Sequence, residues 1–164
     1  MNAQSKPVYE ERLTSARTTA LFVVLTLVFG ALAARCWTAD GFTGSTVVCS
    51  LLALMFLFYV VNYRVLVIRI IGDALVLTFG VFTWTVPLTN VEACQRDDVS
   101  TFMYYGGAGI HFFTSRGRYR VSYNFLEYPR VVVGLKEKRW LVRDVSFSTR
   151  QPDEVLAALE EARA

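Results

Sequence analysis

The chain has 164 residues, 54% of them hydrophobic and 19% charged, with a formal net charge of +3 and a mean hydropathy of +0.37. Soluble domains carry about 45–50% apolar and about 25% charged residues. The imbalance excludes a wholly soluble, disordered, collagenous or disulfide-scaffold protein, and so small a net charge gives no footprint for nucleic acid.

Residues 1–17 read as a polar N-tail. Then 17 uncharged residues lie between Arg17 and Arg35, and 23 between Asp40 and Arg64. The first run, Thr18–Ala34 (TTALFVVLTLVFGALAA), covers about 25 Å as a helix, slightly under the roughly 30 Å of bilayer hydrocarbon. Cys36 and Trp37 extend it, because Arg35 can snorkel and Trp prefers the interface. The second run, Phe42–Val61, has no charge and no proline and reads as a spanning helix. The short connection RCWTADGFTG carries Asp40-Gly41 as turn chemistry, so residues 18–63 form a transmembrane helical hairpin. A cleaved signal peptide is the competing reading of the first run; its length and the second span that follows argue against it. Lys6, Arg12 and Arg17 precede the hairpin and Arg64 and Arg69 follow it, against Arg35 alone in the loop. The positive-inside rule then gives a two-pass protein of the inner (cytoplasmic) membrane with both termini cytoplasmic.

Neither helix interior holds an ionisable residue, so a pore or transport site is not expected. Small residues mark helix-packing faces: Gly30 and Ala34 on the first helix, Gly44 and Ala53 on the second. They suit packing within the hairpin or docking onto other membrane subunits. Cys36, Cys49 and Cys94 are scattered, without CxxC spacing, and read as apolar fillers.

Residues 64–164 read as one β-rich domain. Val65–Ile71, Ala74–Phe79 and Val81–Val86 are strands by β-branched content and alternation. Gly72-Asp73 and Gly80 separate them, and Pro87 ends the third. Leu88–Ala93 is a short turn or a further strand. Ile110–Thr114, Arg118–Asn124, Val131–Leu135 and Arg139–Phe147 follow, with turns at Gly117 and Glu137-Lys138. The helix Pro152–Arg163 starts with Pro and acids and places Arg163 in its last turn, as the macrodipole favours. The expected fold is a membrane-anchored α+β chain: a two-helix transmembrane hairpin, then an antiparallel β-barrel or sandwich of about seven strands capped by a C-terminal helix.

Several segments carry a family likeness. YYGGAGIHFF, RGRYRVSYN, the VVVGL strand, the basic RWLV strand and STRQPDEVLAALEEA resemble the small membrane-anchored bacterial pleckstrin-homology-domain (PH-like) proteins, over most of the chain. Ala108 stands where an aromatic is usual, Lys136-Glu137-Lys138 replaces an Asp-Gly turn, and Asn124–Arg130 lengthens the central hairpin. The resemblance implies a PH-like fold and a non-enzymatic binding module.

The residues themselves point the same way. Gly106-Gly107-Ala108-Gly109 lacks the helix and the Lys-Ser/Thr that a phosphate loop needs, and reads as a glycine kink at a sheet corner. His111 has no Ser or Cys partner and is expected to face solvent, and Asp97-Asp98 reads as a solvated loop. The strongest candidate is basic. Arg116–Arg143 holds eight Arg or Lys against Glu127 and Glu137. Arg118, Arg120 and Ser122 share one face of their strand. Arg116, Arg118, Arg120, Lys136, Lys138 and Arg139 are therefore the expected lipid- or partner-binding residues, on a domain held at an anionic leaflet. No cofactor or metal is expected. The expected function is a membrane-anchored scaffold that contacts integral membrane proteins or anionic lipid head groups. The alternative is an accessory structural subunit of a larger respiratory or photosynthetic membrane complex, as part of a hetero-oligomer.

Overall fold

A computed structural model describes residues 7–97 and 108–163. The chain forms two compact units. One comprises residues 15–64; the other combines the residues up to Thr14 with those from Val65 onward.

The first unit is a pair of helices, α1 (Ala16–Asp40) and α2 (Gly44–Asn62). α1 starts two residues before the uncharged run because Ser15 caps it, accepting a hydrogen bond from the Thr18 N–H at 3.0 Å. It stops at Gly41, whose φ of +67° is a left-handed conformation that glycine adopts without steric cost. Hydroxyls within the helices bond back to carbonyls one turn earlier: Thr26 to Phe22 at 2.7 Å and Ser50 to Thr46 at 2.8 Å. Such back-bonding leaves no hydroxyl needing water.

Of the small residues, Gly30 and Ala53 are half-buried, while Ala34 and Gly44 face outward. A Cβ built on Gly30 or Gly44 would meet nothing within 4 Å. Aromatic rings from both helices meet as well. Phe22 packs against Phe56 and edge-on to Tyr59, and Phe29 stacks on Phe56 at 5.5 Å.

The second unit contains nine strands among the described residues, against about seven expected. β1 (Tyr9–Thr14), β2 (Val65–Ile71), β3 (Ala74–Phe79) and β4 (Phe82–Pro87) form one antiparallel sheet in that order. The expected N-tail thus includes an edge strand. Leu13 and Glu11 turn inward from it, while Glu10 and Arg12 turn outward. After a 3-10 turn at Leu88–Asn90 comes a second sheet. Its strands are β5 (Val91–Arg96), β6 (Gly109–Ser115), β7 (Arg118–Asn124), β8 (Arg130–Arg139) and β9 (Val142–Ser148). They lie in the order β5-β8-β9-β7-β6. All ladders are antiparallel except β7–β9, which is parallel. Among the described residues the strands form two sheets, with no ladder joining them.

The core lies between them. Leu66, Ile68 and Ile70 of β2 and Leu75, Leu77 and Phe79 of β3 are fully buried at alternate positions. Val121, Val131, Val133, Val145 and Phe147 do the same for the second sheet. Phe79 meets Phe125 edge-on at 5.0 Å. Each such side chain contributes about 1.5–3 kcal/mol by leaving water. The C-terminal helix α3 (Pro152–Glu161) adds buried Val155 and Leu159. It ends before Arg163, which donates instead to the Glu92 carbonyl at 3.3 Å rather than sitting in the last turn.

Candidate functional site

The expected basic residues separate into two groups. Arg118 and Arg120 lie on β7, one face of which lies against acids from β5, β9 and the β5 end. Arg120 donates to both oxygens of Asp97 at 3.2 Å and to Asp144 at 3.3 Å. Arg118 pairs with Asp144 at 2.7 Å and with Glu92 at 3.0 Å. Arg130, on β8, meets Asp97 Oδ2 at 3.5 Å, one of the oxygens that Arg120 also reaches. The six groups form one alternating string: Arg130, Asp97, Arg120, Asp144, Arg118, Glu92. Its three positive charges are matched by three negative ones.

The string is a consequence of topology. β9 lies parallel to β7 with Arg120 opposite Asp144, and β8 brings Gly134 opposite Asp144 on the other side. The Arg118 guanidinium passes over Gly134, where a Cβ would meet it at 3.4 Å, an ordinary van der Waals contact. The interior of the string is dry: the Arg120 and Asp97 side chains are 5% and 3% exposed. The Asp97 expectation of a solvated loop is therefore corrected; Asp98 lies outside the described residues. Buried ion pairs add little net stability, but removing one partner strands a charge. Glu92 holds the Arg118 guanidinium above its ordinary value, against the opposing effect of burial, and Asp144 reinforces it.

A cavity of about 310 Å³ opens beside the string, lined by Arg116, Arg118, Arg120, Gln95, Glu92 and Asp144 among others. Arg116 is exposed in the β6–β7 turn, where Arg116 and Gly117 take φ values of +51° and +76°. Two successive left-handed residues make the tight turn that matches strand twist. His111 is half-buried, and its Nε2 is shielded from solvent, so it does not face water as expected. Ala108 is buried and Gly109 opens β6 at φ +114°; Gly106 and Gly107 lie outside the described residues. Cys36, Cys49 and Cys94 are free thiols. Burial pushes the Cys94 thiol up, with Arg163 opposing. Among the described residues, no group of three or more His, Cys, Asp or Glu side chains is placed to hold a metal ion.

The second group sits at the β8–β9 hairpin. β8 runs four residues beyond its expected end, so Lys136, Glu137, Lys138 and Arg139 form an exposed strand arm rather than a turn. The connection is Trp140-Leu141, between the paired Arg139 and Val142. Trp140 is 90% exposed and Leu141 70% exposed. Trp140 also takes a φ of +61°, which costs a non-glycine residue about 1–2 kcal/mol. The arm is braced at its base. Asn90 donates to the Glu137 carbonyl at 3.1 Å and accepts from the Glu137 N–H at 2.8 Å. Lys136 donates to the Thr89 carbonyl at 2.9 Å. Arg139 donates to the Thr85 carbonyl and lies over the Trp84 ring at 5.4 Å.

Of the six expected binding residues, Arg118 and Arg120 are thus tied up in a neutral network. Arg116 stands apart at the other hairpin, and Lys136, Lys138 and Arg139 share the arm with Arg143. The exposed tip residues, Trp140 and Leu141, were not among the six. The signal for them was present: an aromatic and a leucine interrupt a run of basic residues at a point where a polar turn is the rule. Comparison with protein-family models, with curated proteins and with solved structures finds no match.

Proposed function

We propose that the chain is a membrane-anchored, non-enzymatic binding module, with a PH-like β-domain held at the cytoplasmic face by a two-pass helical hairpin. Its partners are integral membrane proteins or anionic lipid head groups. Both helices are long and apolar enough to cross a bilayer, and only 6% of each apolar window is buried. A core helix of a soluble protein would be mostly covered.

One observation carries the reading. β1, before the helices, is zipped to β2, after them, from Tyr9 opposite Ile70 to Thr14 opposite Val65. Two segments of one sheet lie on one side of any membrane. Helices joined to them by Ser15 and by Tyr63-Arg64 must therefore cross an even number of times. The ladder also counts against cleavage after the first helix, which would remove buried Leu13 and Glu11 from the fold. The orientation rests on Lys6, Arg17 and Arg64; Arg12 and Arg69, counted with them, share the Glu10 carboxylate on the sheet surface.

The test is extraction of native membranes with alkaline carbonate, together with protease access to tags at each end. The reading expects a carbonate-resistant chain with both tags cut only from the cytoplasmic side. Tags cut from opposite sides, or release into the supernatant, would overturn it. Stoichiometric co-purification with other integral proteins in mild detergent would instead favour an accessory subunit.

A further inference from the structure

We infer that the β8–β9 tip seats the domain in the bilayer surface: Trp140 and Leu141 enter the interfacial layer of an anionic leaflet, while Lys138 and Arg143 meet its phosphates. The inference rests on the membrane-anchored reading above and names the partner of that domain.

Four features of the tip converge. First, its two connecting residues are both large, apolar and nearly fully exposed, at 90% and 70%. A soluble hairpin would place Asn, Asp or Gly there. Second, Trp140 holds a left-handed φ of +61°, which a smaller residue would adopt at less cost. A bulky ring kept in a costly conformation calls for a use of the ring. Third, the arm is pinned by Asn90 and Arg139, so it is presented as a preformed projection rather than a loose loop. Fourth, exposed Lys136, Lys138, Arg139 and Arg143 surround the tip, with Glu137 the one acid on the arm.

Chemistry selects the occupant. Trp is favoured where one face is apolar and the other wet, as at a membrane interface. Lysine is depleted from protein interfaces but attracted to anionic lipid. The geometry of attachment adds to this. Connections of one residue (Ser15) and two residues (Tyr63, Arg64) tether the domain to its anchor, so its effective concentration at the lipid surface is high. A second exposed apolar pair, Val81 and Phe82, lies two residues before Trp84, the ring that Arg139 covers.

The experiment uses the full chain in nanodiscs of phosphatidylcholine, with and without phosphatidylglycerol. Trp37 and Trp84 are replaced by Phe, leaving Trp140 as the sole tryptophan. Brominated lipid should quench its emission in the anionic discs, and aqueous iodide should lose access to it. Lys138→Ala should lower the seated-to-free ratio about fivefold. In the otherwise unaltered chain, Trp140→Asn should leave thermal stability equal or higher, because Asn tolerates the left-handed backbone. It should also release the domain, read as increased protease access to the arm. Equal iodide access in both disc types would overturn the inference, as would shielding that appears only when membrane protein extract is added. Carbonate extraction of the same chain separates the two readings. If the chain stays in the membrane while Trp140 stays wet, the seating fails and the anchor stands. If the chain is extracted, both fail.

Discussion

The Glu11 carboxylate accepts a hydrogen bond from the Thr149 hydroxyl at 2.6 Å, across 138 residues of sequence. The Arg150 N–H adds a second at 2.8 Å and the Tyr9 hydroxyl a third at 3.0 Å. This buried acid ties the first strand to the segment that leads into α3. Glu11→Ala should destabilise the folded domain by about 3 kcal/mol, because it leaves the Arg150 N–H without its acceptor. Glu11→Gln keeps one acceptor oxygen and should cost about half as much. Urea midpoints of the two variants check this; equal, negligible shifts would show the contacts to be incidental.

The same carboxylate governs an alkaline limit. Burial, and then the hydrogen bond to Glu11, hold the Tyr9 hydroxyl well above the ordinary tyrosine range. In the unfolded chain that hydroxyl ionises near pH 10. Its contribution to stability is therefore complete below about pH 10 and is lost as pH rises toward the folded value. Tyr9→Phe should flatten the alkaline decline in the unfolding midpoint. A decline of unchanged slope would rule out Tyr9 as its source.

Arg120→Ala should cost about 3–5 kcal/mol, since Asp97 would keep a buried charge with less to answer it. Arg116→Gln, on the exposed turn of the neighbouring hairpin, should stay within about 0.5 kcal/mol. The contrast reshapes how binding is tested. Reversing Arg118 and Arg120 would damage the sheet itself, so lost binding in such variants would report unfolding. Lys138 is the informative position. Thermal midpoints measured beside every binding assay make the distinction.

Phe79→Ala should lower stability by about 3–5 kcal/mol, as it opens a cavity against Phe125 where the two sheets meet. A cost near that of an exposed site would mean the sheets are held together elsewhere, which calorimetry on the full chain in detergent would show.

Much of this was legible in the residues. Val65–Ile71, Ala74–Phe79 and Arg118–Asn124 have the bounds that alternation and turn residues assign them. β1 was hidden because YEERLT carries three charges, and one of its inward positions is itself an acid. Nothing local shows that Glu11 will find Thr149. The β8 arm was hidden for a related reason: KEKR looks like a turn when the strand is assumed to end at the edge of the core. The charge string was the least legible. Arg120 and Asp144 become neighbours only through a parallel pairing of β7 with β9, a long-range choice that no spacing announces. The basic count was right, but Glu92, Asp97 and Asp144, which neutralise three of the eight, come from elsewhere in the chain.

β1 has one further consequence, which concerns self-association. β2 reads VLVIRII and is among the most apolar strands in the chain, and β1 occupies its outer hydrogen-bonding edge with Glu10 and Arg12 facing out. Charged residues on a terminal strand discourage edge-to-edge growth. A chain trimmed before Ser15 would keep its helices and its core hydrophobics but expose the N–H and C=O row of β2. Its failure would then take the form of intermolecular β-stacking between copies, rather than simple loss of fold.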